Sequence, residues 1–372
     1  MSPLPLRSCR RLTIVNSLLS EYGWHTALDS AFAPYAAEGL IPARIARVYG
    51  DRCAAATPHG LVTASIAPVS SPDPLHWVCT GDWAALELGG DPALVRAVLP
   101  RTNAVVRNTS TRRSEGQVLA ANVDHAVIAV SLAAELDLGR VERFLALAWE
   151  SGAEPLVVLT KCDLVPDPDL GHLLADTEGA APGVQVLAVS AHTGAGLDVL
   201  TASLSQGTSV LLGQSGAGKS TLANALLGAQ AQQVREVRDA DGKGRHTTTT
   251  RDLLPLPGGG VLIDTPGLRG VGMWDAESGV ARVFAEIEEL ARDCRFHDCA
   301  HAAEPGCGVL AALADGRLSH RRWESYRKLL RENAWIAARS DARLRAEQRR
   351  EWKRRSAQGR AAYEAKRGRA PR

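Results

Sequence analysis

The amino-acid sequence predicts a multidomain α/β protein with a small β-barrel, a mostly parallel sheet covered by helices, and a helical C-terminal region. The chain has 372 residues, too many for one compact core, which indicates two to four domains. Short β-like runs separated by turn residues occupy 41–107, as in a small barrel or sandwich. From 126 to 263, apolar strand-like runs alternate with helical stretches, and this alternation favours a parallel sheet.

The composition indicates a soluble globular protein, with 45% hydrophobic and 23% charged residues. The sequence contains neither a run of 18 apolar residues nor a signal peptide, so we expect no membrane partner and a cytoplasmic location. The seven cysteines, an odd number, do not suggest a disulfide framework. We expect the protein to be monomeric.

Charge is distributed unevenly along the chain. Residues 341–372 carry twelve Lys and Arg side chains against four acidic ones, a net charge of +8, whereas the preceding 340 residues carry −6. A basic tail of this kind favours a polyanionic partner. A solvated chain end explains the same composition equally well.

The first 107 residues predict a helical leader followed by the barrel. Residues 1–40 show a helical pattern without identifiable chemistry, and the predicted strands are 43–49, 60–66, 76–80 and 104–107. A five-stranded OB-type β-barrel is one candidate, and such barrels often bind single-stranded nucleic acid. Side chains able to stack on bases or contact phosphates are Trp77, Trp83, Arg101, Arg107, Arg112 and Arg113, although the tryptophans fit a core role better.

The second half of the chain predicts the parallel sheet and then helices. Its predicted strands are 126–130, 156–160, 184–189, 208–212 and 261–263, with helices including 140–149 and 197–204. One further helix is predicted at 281–290, and another carries Trp323, Tyr326, Leu329 and Leu330 on one face.

A phosphate-binding loop follows the 208–212 strand and precedes a helical run. The motif G-x-x-x-x-G-K-[ST] is complete in Gly213, Gln214, Ser215, Gly216, Ala217, Gly218, Lys219 and Ser220, and Thr221 continues into the helix. Backbone N–H groups of such a loop surround a polyphosphate at a helix N-terminus. Lys219 would reach the β- and γ-phosphates, and the Ser220 hydroxyl would bind Mg²⁺.

Two other strand ends select guanine over adenine. Thr160, Lys161 and Asp163 form a [NT]-K-x-D motif, in which the carboxylate accepts hydrogen bonds from guanine N1–H and the 2-amino group. Adenine lacks both donors there, so a mismatch would leave Asp163 without partners. The Lys161 stem would lie along the base, and a backbone N–H at Ser190 or Ala191 would donate to guanine O6. These residues predict GTP and GDP as ligands and disfavour an ATP-dependent enzyme.

Two further segments predict the residues that contact Mg²⁺ and the γ-phosphate. Asp264, in Asp-Thr-Pro-Gly, would hold Mg²⁺ through water, and the Gly267 N–H would contact the γ-phosphate. A threonine run lies between the two phosphate elements, and we favour Thr248 as a second Mg²⁺ ligand, with Thr247 and Thr249 close alternatives.

Motif order and catalysis both depart from Ras-like proteins. The base-recognition loops precede the phosphate loop, so a circularly permuted P-loop GTPase domain is predicted. Leu268 follows the Asp-x-x-Gly glycine, where Ras-like enzymes carry a water-orienting Gln soon after it. His246 is the polar candidate for the catalytic role, with a surface histidine as the alternative. A nucleotide-gated RNA-binding module with little hydrolysis is the rival function.

A cysteine–histidine cluster follows the predicted GTPase domain. The spacing Cys294-x4-Cys299-x-His301-x5-Cys307 provides three thiolates and an imidazole, which suit tetrahedral Zn²⁺. Four protein ligands leave no open position, so the predicted site is one structural Zn²⁺ in a helical zinc-binding domain. His297 is a competing ligand.

The chain resembles the RsgA family of bacterial ribosome small subunit-dependent GTPases over about 42–335. The resemblance is carried by Gly81-Asp82-Trp83, Arg101-Thr102-Asn103, Gln117, Asn122-Val123-Asp124 and the nucleotide and Cys/His motifs above, including Arg245-His246-Thr247-Thr248-Thr249 and Glu304-Pro305-Gly306-Cys307. It implies an OB-fold barrel that contacts rRNA, a permuted GTPase core and a zinc domain. It also implies a factor in late maturation of the 30S ribosomal subunit, with 16S rRNA contacts, hydrolysis stimulated by that subunit, and a catalytic His246.

These observations together divide the chain into five predicted segments: leader 1–40, OB-fold RNA-binding domain 41–115, permuted GTPase domain 116–285, zinc-binding domain 286–340 and basic tail 341–372. Since the chain leaving Gly267 continues into the zinc domain, hydrolysis would reposition that domain.

Overall fold

The structure is a computed structural model that describes residues 18–108, 116–228, 251–264 and 276–335. Compactness separates two units, one within 1–107 and 117–271 and the other within 108–116 and 272–372. Among the described residues, no helix has both the length and the apolar character needed to cross a membrane.

The described part of the first unit starts with two helices, α1 (Leu18–Glu21) and α2 (Thr26–Ala37), as the leader's helical pattern predicted. Leu19 and Phe32 are buried. The Trp24 ring meets the Trp83 ring edge-on, with centroids 5.2 Å apart. The described part of the leader therefore packs against the barrel.

The barrel is a closed five-stranded sheet in the order β1-β2-β3-β5-β4. Its strands are β1 (Ile41–Tyr49), β2 (Arg52–Thr57), β3 (Gly60–Ser65), β4 (Trp83–Glu87) and β5 (Ala93–Val98). β3 and β5 pair in parallel, and the other neighbours are antiparallel. Small and branched side chains such as Ala55, Ile45 and Val95 fill the interior, which suits a barrel of this size.

The predicted strand at 76–80 is wrong. Pro74–His76 is a 3₁₀ turn, because the Asp73 side chain accepts the Leu75 N–H at 3.0 Å and Pro74 has no N–H for a ladder. The strand in this region starts later, at Trp83. The predicted strand at 104–107 exists as β6 (Ala104–Asn108) but pairs with β7 (Gly116–Ala121) outside the barrel.

The second sheet of this unit has six strands in the order β10-β9-β8-β11-β13-β12. They are β8 (His125–Ser131), β9 (Glu154–Thr160), β10 (Gln185–Val189), β11 (Thr208–Leu212), β12 (Asp252–Pro255) and β13 (Val261–Asp264). Every pairing is parallel except that of the edge strand β12 with β13. The accompanying helices are α3 (Leu138–Glu150), α4 (Asp167–Ala180), α5 (Leu197–Ser203) and α6 (Lys219–Leu227). The predicted mostly parallel sheet with helices is confirmed.

A buried arginine joins the barrel to this sheet. Arg44 on β1 donates to Tyr22 O at 2.5 Å and to Thr208 Oγ1 at 2.7 Å. Its guanidinium carbon lies 4.5 Å from the centre of the Trp83 ring. Burial lowers the pKa of Arg44 to about 10. One side chain thus contacts the leader, the barrel and the first residue of β11.

The second unit is helical where the structure describes it. Its helices are α7 (Glu277–Val283), α8 (Ala285–Arg292), α9 (Gly308–Ala314) and α10 (320–335). The prediction of a single helix at 281–290 is wrong, because the helix is interrupted at Phe284, whose ψ is 37°. Phe284 is fully buried and packs 5.4 Å from the Tyr326 ring.

Helix α10 presents the predicted face to the core of its own unit. Trp323, Tyr326 and Leu329 are buried, whereas Leu330 is 36% exposed and lies at the edge of the face. The Tyr326 hydroxyl donates to Glu288 at 2.7 Å, and Arg322 is ion-paired with Glu286. α8 and α10 are therefore joined by polar as well as apolar contacts.

Candidate functional site

The phosphate loop has a backbone that requires glycine. Gly213 has a φ of +139°, and a Cβ at this position would lie 2.4 Å from the carbonyl oxygen of Ala129 on β8. Gly216 and Gly218 also have positive φ values, of +82° and +83°. Since a side chain at Gly213 would collide with the neighbouring strand, the loop can turn close to β8 only with glycine there.

Lys219 is buried in the first turn of α6 and points back into the loop. Its ammonium donates to Gly213 O at 2.7 Å and to Gln214 O at 2.6 Å. Burial lowers the pKa of Lys219, and the nearby Asp264 carboxylate opposes that shift. The ammonium therefore lies inside the loop, where it can exchange carbonyl partners for phosphate oxygens.

A cavity of about 240 Å³ lies beside the phosphate loop. It is lined by Thr160, Lys161, Asp163, Leu164, Val189, Ala191, His192, Gly218, Thr221 and Leu222. Apolar walls and a single carboxylate are a suitable combination for a flat base with polar edges. The structure thus brings together residues that the sequence assigned to base recognition from two separate strand ends.

Short hydrogen bonds connect the base cavity to the phosphate loop. The Thr160 hydroxyl donates to Ala217 O at 2.8 Å, and the Lys161 ammonium donates to Gly216 O at 3.0 Å. Lys161 itself has a left-handed backbone, with φ of 60°. This conformation turns the chain sharply between the end of β9 and the 3₁₀ turn that carries Asp163.

The loop after β10 distinguishes the two predicted O6 donors. The Ser190 N–H donates to Ala195 O at 2.9 Å, and the Ser190 hydroxyl accepts the Thr193 N–H at 3.1 Å. Ser190 therefore shapes the turn, whereas Ala191 lines the cavity. Of the two, the Ala191 N–H is the better candidate for contacting a base.

Asp264 and Ser220 occupy the other end of the phosphate loop. Asp264 is a buried residue at the carboxyl end of β13, and Ser220 is an exposed residue of the first turn of α6. A carboxylate and a hydroxyl are ligands that fit Mg²⁺. The predicted residues His246, Thr248 and Gly267 lie outside the described residues, so their roles stay predictions.

The second unit contains the predicted metal cluster. Ligand atoms of Cys294, Cys299, His301 and Cys307 all lie within 4.8 Å of one another. The His301 Nδ1 is 3.5 Å from the Cys294 sulfur and 3.3 Å from the Cys307 sulfur. The competing ligand His297 is not in this group. Three sulfurs and one imidazole match a closed tetrahedral Zn²⁺ site.

Backbone N–H groups support the cluster. The Gly308 N–H points to the Cys294 sulfur at 3.3 Å, and the Leu310 N–H to the Cys307 sulfur at 3.4 Å. Glu304 accepts N–H groups from Ala300 at 3.0 Å and Ala302 at 2.8 Å. Sequence reasoning assigned no role to Glu304, for which the signals were its position between two ligands and its place in the Glu304-Pro305-Gly306-Cys307 motif.

These backbone donors lower the pKa of Glu304 to about 2. They come from its own N–H, from Ala302 and Ala303, and from Ala300. The carboxylate therefore closes the loop around His301 in its ionised form.

The barrel side chains proposed for nucleic-acid contact have different surroundings. Trp83 is buried, as expected for a core residue, whereas Trp77 is 51% exposed. Arg101 donates to both Asp82 carboxylate oxygens, at 2.7 and 2.8 Å, and to Trp77 O. Arg101 is thus bound within the 74–82 turn. The side chains of Arg107, Arg112 and Arg113 lie outside the described part of the chain.

The base loops that follow β9 and β10 come earlier in the chain than the phosphate loop, yet lie beside it in space. A parallel sheet with a phosphate loop and this motif order defines a circularly permuted P-loop GTPase. The family model described as RsgA GTPase matches residues 98–274.

Curated relatives match almost the whole chain. Small ribosomal subunit biogenesis GTPase RsgA of Streptomyces coelicolor is 68% identical over 95% of this chain and 97% of the relative. The protein of the same name from Streptomyces avermitilis is 67% identical over 94% and 95%, and that of Opitutus terrae is 43% identical over 90% and 95%. The chain belongs to the RsgA GTPase family and is a GTP hydrolase.

Solved structures show the same fold at lower sequence identity. The crystal structure of YjeQ from Thermotoga maritima matches with a TM-score of 0.59 and 24% identity, covering 79% of this chain and 99% of that one. YloQ, described as a circularly permuted GTPase, matches with a TM-score of 0.57 and 21% identity, covering 79% and 95%.

Proposed function

We propose that this GTPase acts in the late maturation of the 30S ribosomal subunit, and that the subunit stimulates its hydrolysis of GTP. The observation that carries the proposal is 68% identity to a small ribosomal subunit biogenesis GTPase over 97% of that protein. The matched region covers 95% of this chain and so extends well beyond the nucleotide motifs to the barrel and the Cys/His cluster. The rival function, an RNA-binding module with little hydrolysis, has no support from the family.

The geometry of the site supports the following nucleotide contacts. Asp163 accepts hydrogen bonds from the guanine edge inside the cavity, and the Ala191 N–H donates to O6. The phosphates lie in the loop at the N-terminus of α6, where Lys219 replaces its carbonyl partners by phosphate oxygens. These contacts exclude adenine through the unmet hydrogen bonds of Asp163.

Three residues are candidate Mg²⁺ ligands. Two of them, Ser220 and Asp264, are among the described residues, and the third, Thr248, lies outside them. The Ser220 hydroxyl would bind the ion, with Asp264 and Thr248 as the other residues that would hold it. When bound, Mg²⁺ neutralises charge that develops on the phosphate oxygens. His246 orients the attacking water, and the Gly267 N–H contacts the γ-phosphate.

The Cys/His cluster would hold one structural Zn²⁺, because its three thiolates and one imidazole are a donor set that this ion prefers. We assign 16S rRNA contacts to the barrel and zinc domain, and the basic tail adds salt-sensitive affinity for the same polyanion. The protein acts as a monomer in the cytoplasm, and hydrolysis releases it from the subunit.

The testing experiment measures GTP and ATP hydrolysis by the purified protein, alone and with stoichiometric 30S subunits. His246→Ala tests the catalytic assignment, and His172→Ala, an exposed histidine of α4, is the matched control. We expect GTP-selective stimulation by 30S that only the His246 variant loses. Equal rates with and without 30S would refute the partner. Stimulation retained in His246→Ala would refute the catalytic residue alone.

A further inference from the structure

The barrel contacts the edge strand of the nucleotide-binding sheet. β12 pairs with β13 on one side, and two barrel residues reach its beginning. Arg47 on β1 donates from Nε to the Asp252 carboxylate. Thr80, in the turn before β4, donates its hydroxyl to Arg251 O at 3.1 Å. The barrel thus binds Asp252, the first residue of the edge strand, and Arg251 directly before it.

The ion pair is enclosed. The Asp252 side chain is 3% exposed and the Arg47 side chain 18% exposed. Breaking an ion pair in a desolvated place is much more costly than losing an ion pair at the surface. The pair therefore specifies the position of β12 relative to β1.

The register of β12 transmits that position to the nucleotide site. Asp252 lies directly opposite Asp264 in the antiparallel pairing, and Leu253 lies opposite Ile263. Directly opposed residues share a face, and like charges there destabilise the pair of strands. Arg47 compensates the charge of Asp252 and so permits two carboxylates at this cross-strand position.

A third contact reaches β13 itself. A Cβ built on Gly81, in the turn that also carries Thr80, would lie 3.2 Å from Ile263 Cδ1. Ile263 immediately precedes Asp264. The barrel turn thus packs closely against β13 one residue before the carboxylate that we assign to Mg²⁺.

We propose that Arg47 is a positioning residue for GTP hydrolysis. By holding β12 through Asp252, it places Asp264 at the metal end of the phosphate loop. This inference rests on the role of Asp264 given in the proposed function. Because coupling between sites is reciprocal, nucleotide binding also changes the stability of the barrel strand β1.

The test uses three variants: Arg47→Met, Asp252→Asn and the double variant that combines these two changes. Each is compared with a fourth variant, Arg96→Met. Arg96 is ion-paired with Glu87 on the barrel, where both side chains are nearly half exposed, and so serves as the matched control. We expect kcat to fall by about tenfold in Arg47→Met, within the range that coupling residues produce, while KM for GTP stays within about twofold because base and loop contacts remain. The decreases in kcat of the two single variants should not add in the double variant, because both changes break the same ion pair.

A readout independent of turnover is amide hydrogen exchange of β1 and β12. Adding Mg²⁺ and a non-hydrolysable GTP analogue should slow exchange in β1 of the wild-type protein and of Arg96→Met. That protection should be lost in Arg47→Met and partly restored in Arg47→Lys. Should Arg47→Met fail to fold, Asp252→Asn provides the same comparison.

Asp264→Asn separates the inference from the assignment beneath it. If Asp264→Asn hydrolyses GTP normally, both the Mg²⁺ role of Asp264 and the positioning role of Arg47 fail. If Asp264→Asn is impaired but Arg47→Met retains the wild-type kcat and exchange pattern, only the positioning role fails. A lower melting temperature in Arg47→Met with an unchanged kcat would likewise reduce the ion pair to a structural contact and overturn the inference.

Discussion

In the proposed function, the single side chain of Asp163 specifies the nucleotide. It lies in a cavity whose other walls include the apolar Leu164, Val189 and Leu222. Asp163 is exposed in the cavity, but a bound base would displace water from it, so the carboxylate would then have to find donors on the ligand. Guanine provides two donors on one edge. On this proposal, hydrogen bonds that guanine satisfies and adenine does not would decide which base binds.

Asp163→Asn should weaken GDP binding about 100-fold or more, because each of two charge-assisted hydrogen bonds contributes roughly 1.5–3 kcal/mol. The amide offers a donor where xanthine carries an oxygen, so affinity for XDP should rise. Fluorescent-nucleotide titration measures both, with Asp167→Asn on α4 as the control. Unchanged preference for guanine would contradict the assignment of the cavity.

Glu304 is a single side chain that stabilises the loop of the Cys/His cluster around His301. Its folded pKa of about 2 lies below the ordinary value of 4.5, so its stabilising effect is complete above about pH 4.5 and is lost as the pH falls from there towards 2. At neutral pH the carboxylate is fully engaged with the backbone around His301.

Glu304→Gln should release metal to a chelator about tenfold faster at pH 7, since residues supporting the ligands typically affect metal affinity by that amount or more. A chromogenic chelator follows the release, and Glu289→Gln, an exposed acid on α8, is the control. Equal release rates in the two variants would mean that Glu304 does not support the site.

At the scale of elements, the strand–loop–helix unit β11-α6 depends on close approach to β8. Gly213→Ala should destabilise the protein by about 2 kcal/mol or more and abolish nucleotide binding, because the added Cβ meets Ala129 O at 2.4 Å. Thermal melting and GDP titration measure the two effects.

Gly183→Ala separates the clash from the backbone cost. Gly183 has a φ of +72° with open space around it, so this variant suffers strain alone and keeps nucleotide affinity. If Gly213→Ala behaves no worse than Gly183→Ala, the approach to β8 is not what requires glycine.

The helical unit illustrates how packing overrides a helical pattern. The run 281–290 has suitable residues throughout, yet Phe284 leaves the helix to be fully buried beside Tyr326 and beneath Arg322, whose guanidinium carbon lies 4.3 Å from the ring centre. Burying an aromatic ring stabilises more than one extra helical turn.

At the scale of the whole molecule, Arg44 joins three parts of the first unit. It binds the leader through Tyr22 O, the barrel through Gly81 O and the sheet through Thr208. Since each buried acceptor left without a donor costs about 1–3 kcal/mol, its removal affects all three contacts together.

Arg44→Met should lower the free energy of unfolding by about 3 kcal/mol, by the same reasoning. Arg96→Met, which removes an exposed ion pair, should lower it by less than about 1 kcal/mol. Chemical denaturation of both variants measures the difference. Similar losses in the two variants would show that the buried contacts of Arg44 are not what joins leader, barrel and sheet.

The sequence by itself determined the parts whose requirements are local. The phosphate loop, the Thr-Lys-x-Asp motif and the four Cys/His ligands were readable because turn geometry and ligand chemistry demand particular residue types at short spacing. The alternation of strands and helices likewise predicted the parallel sheet, since its strands are buried on both faces.

Only the tertiary structure decided the contacts between residues far apart in the chain. Arg44 meets Thr208 across 164 positions and Arg47 meets Asp252 across 205. Nothing near either arginine in the sequence indicates that Arg44 is buried or that Arg47 is partly buried. The false strand at 76–80 and the break at Phe284 have the same origin. Local propensity is a weak preference, and burial and hydrogen bonding with distant partners outweigh it.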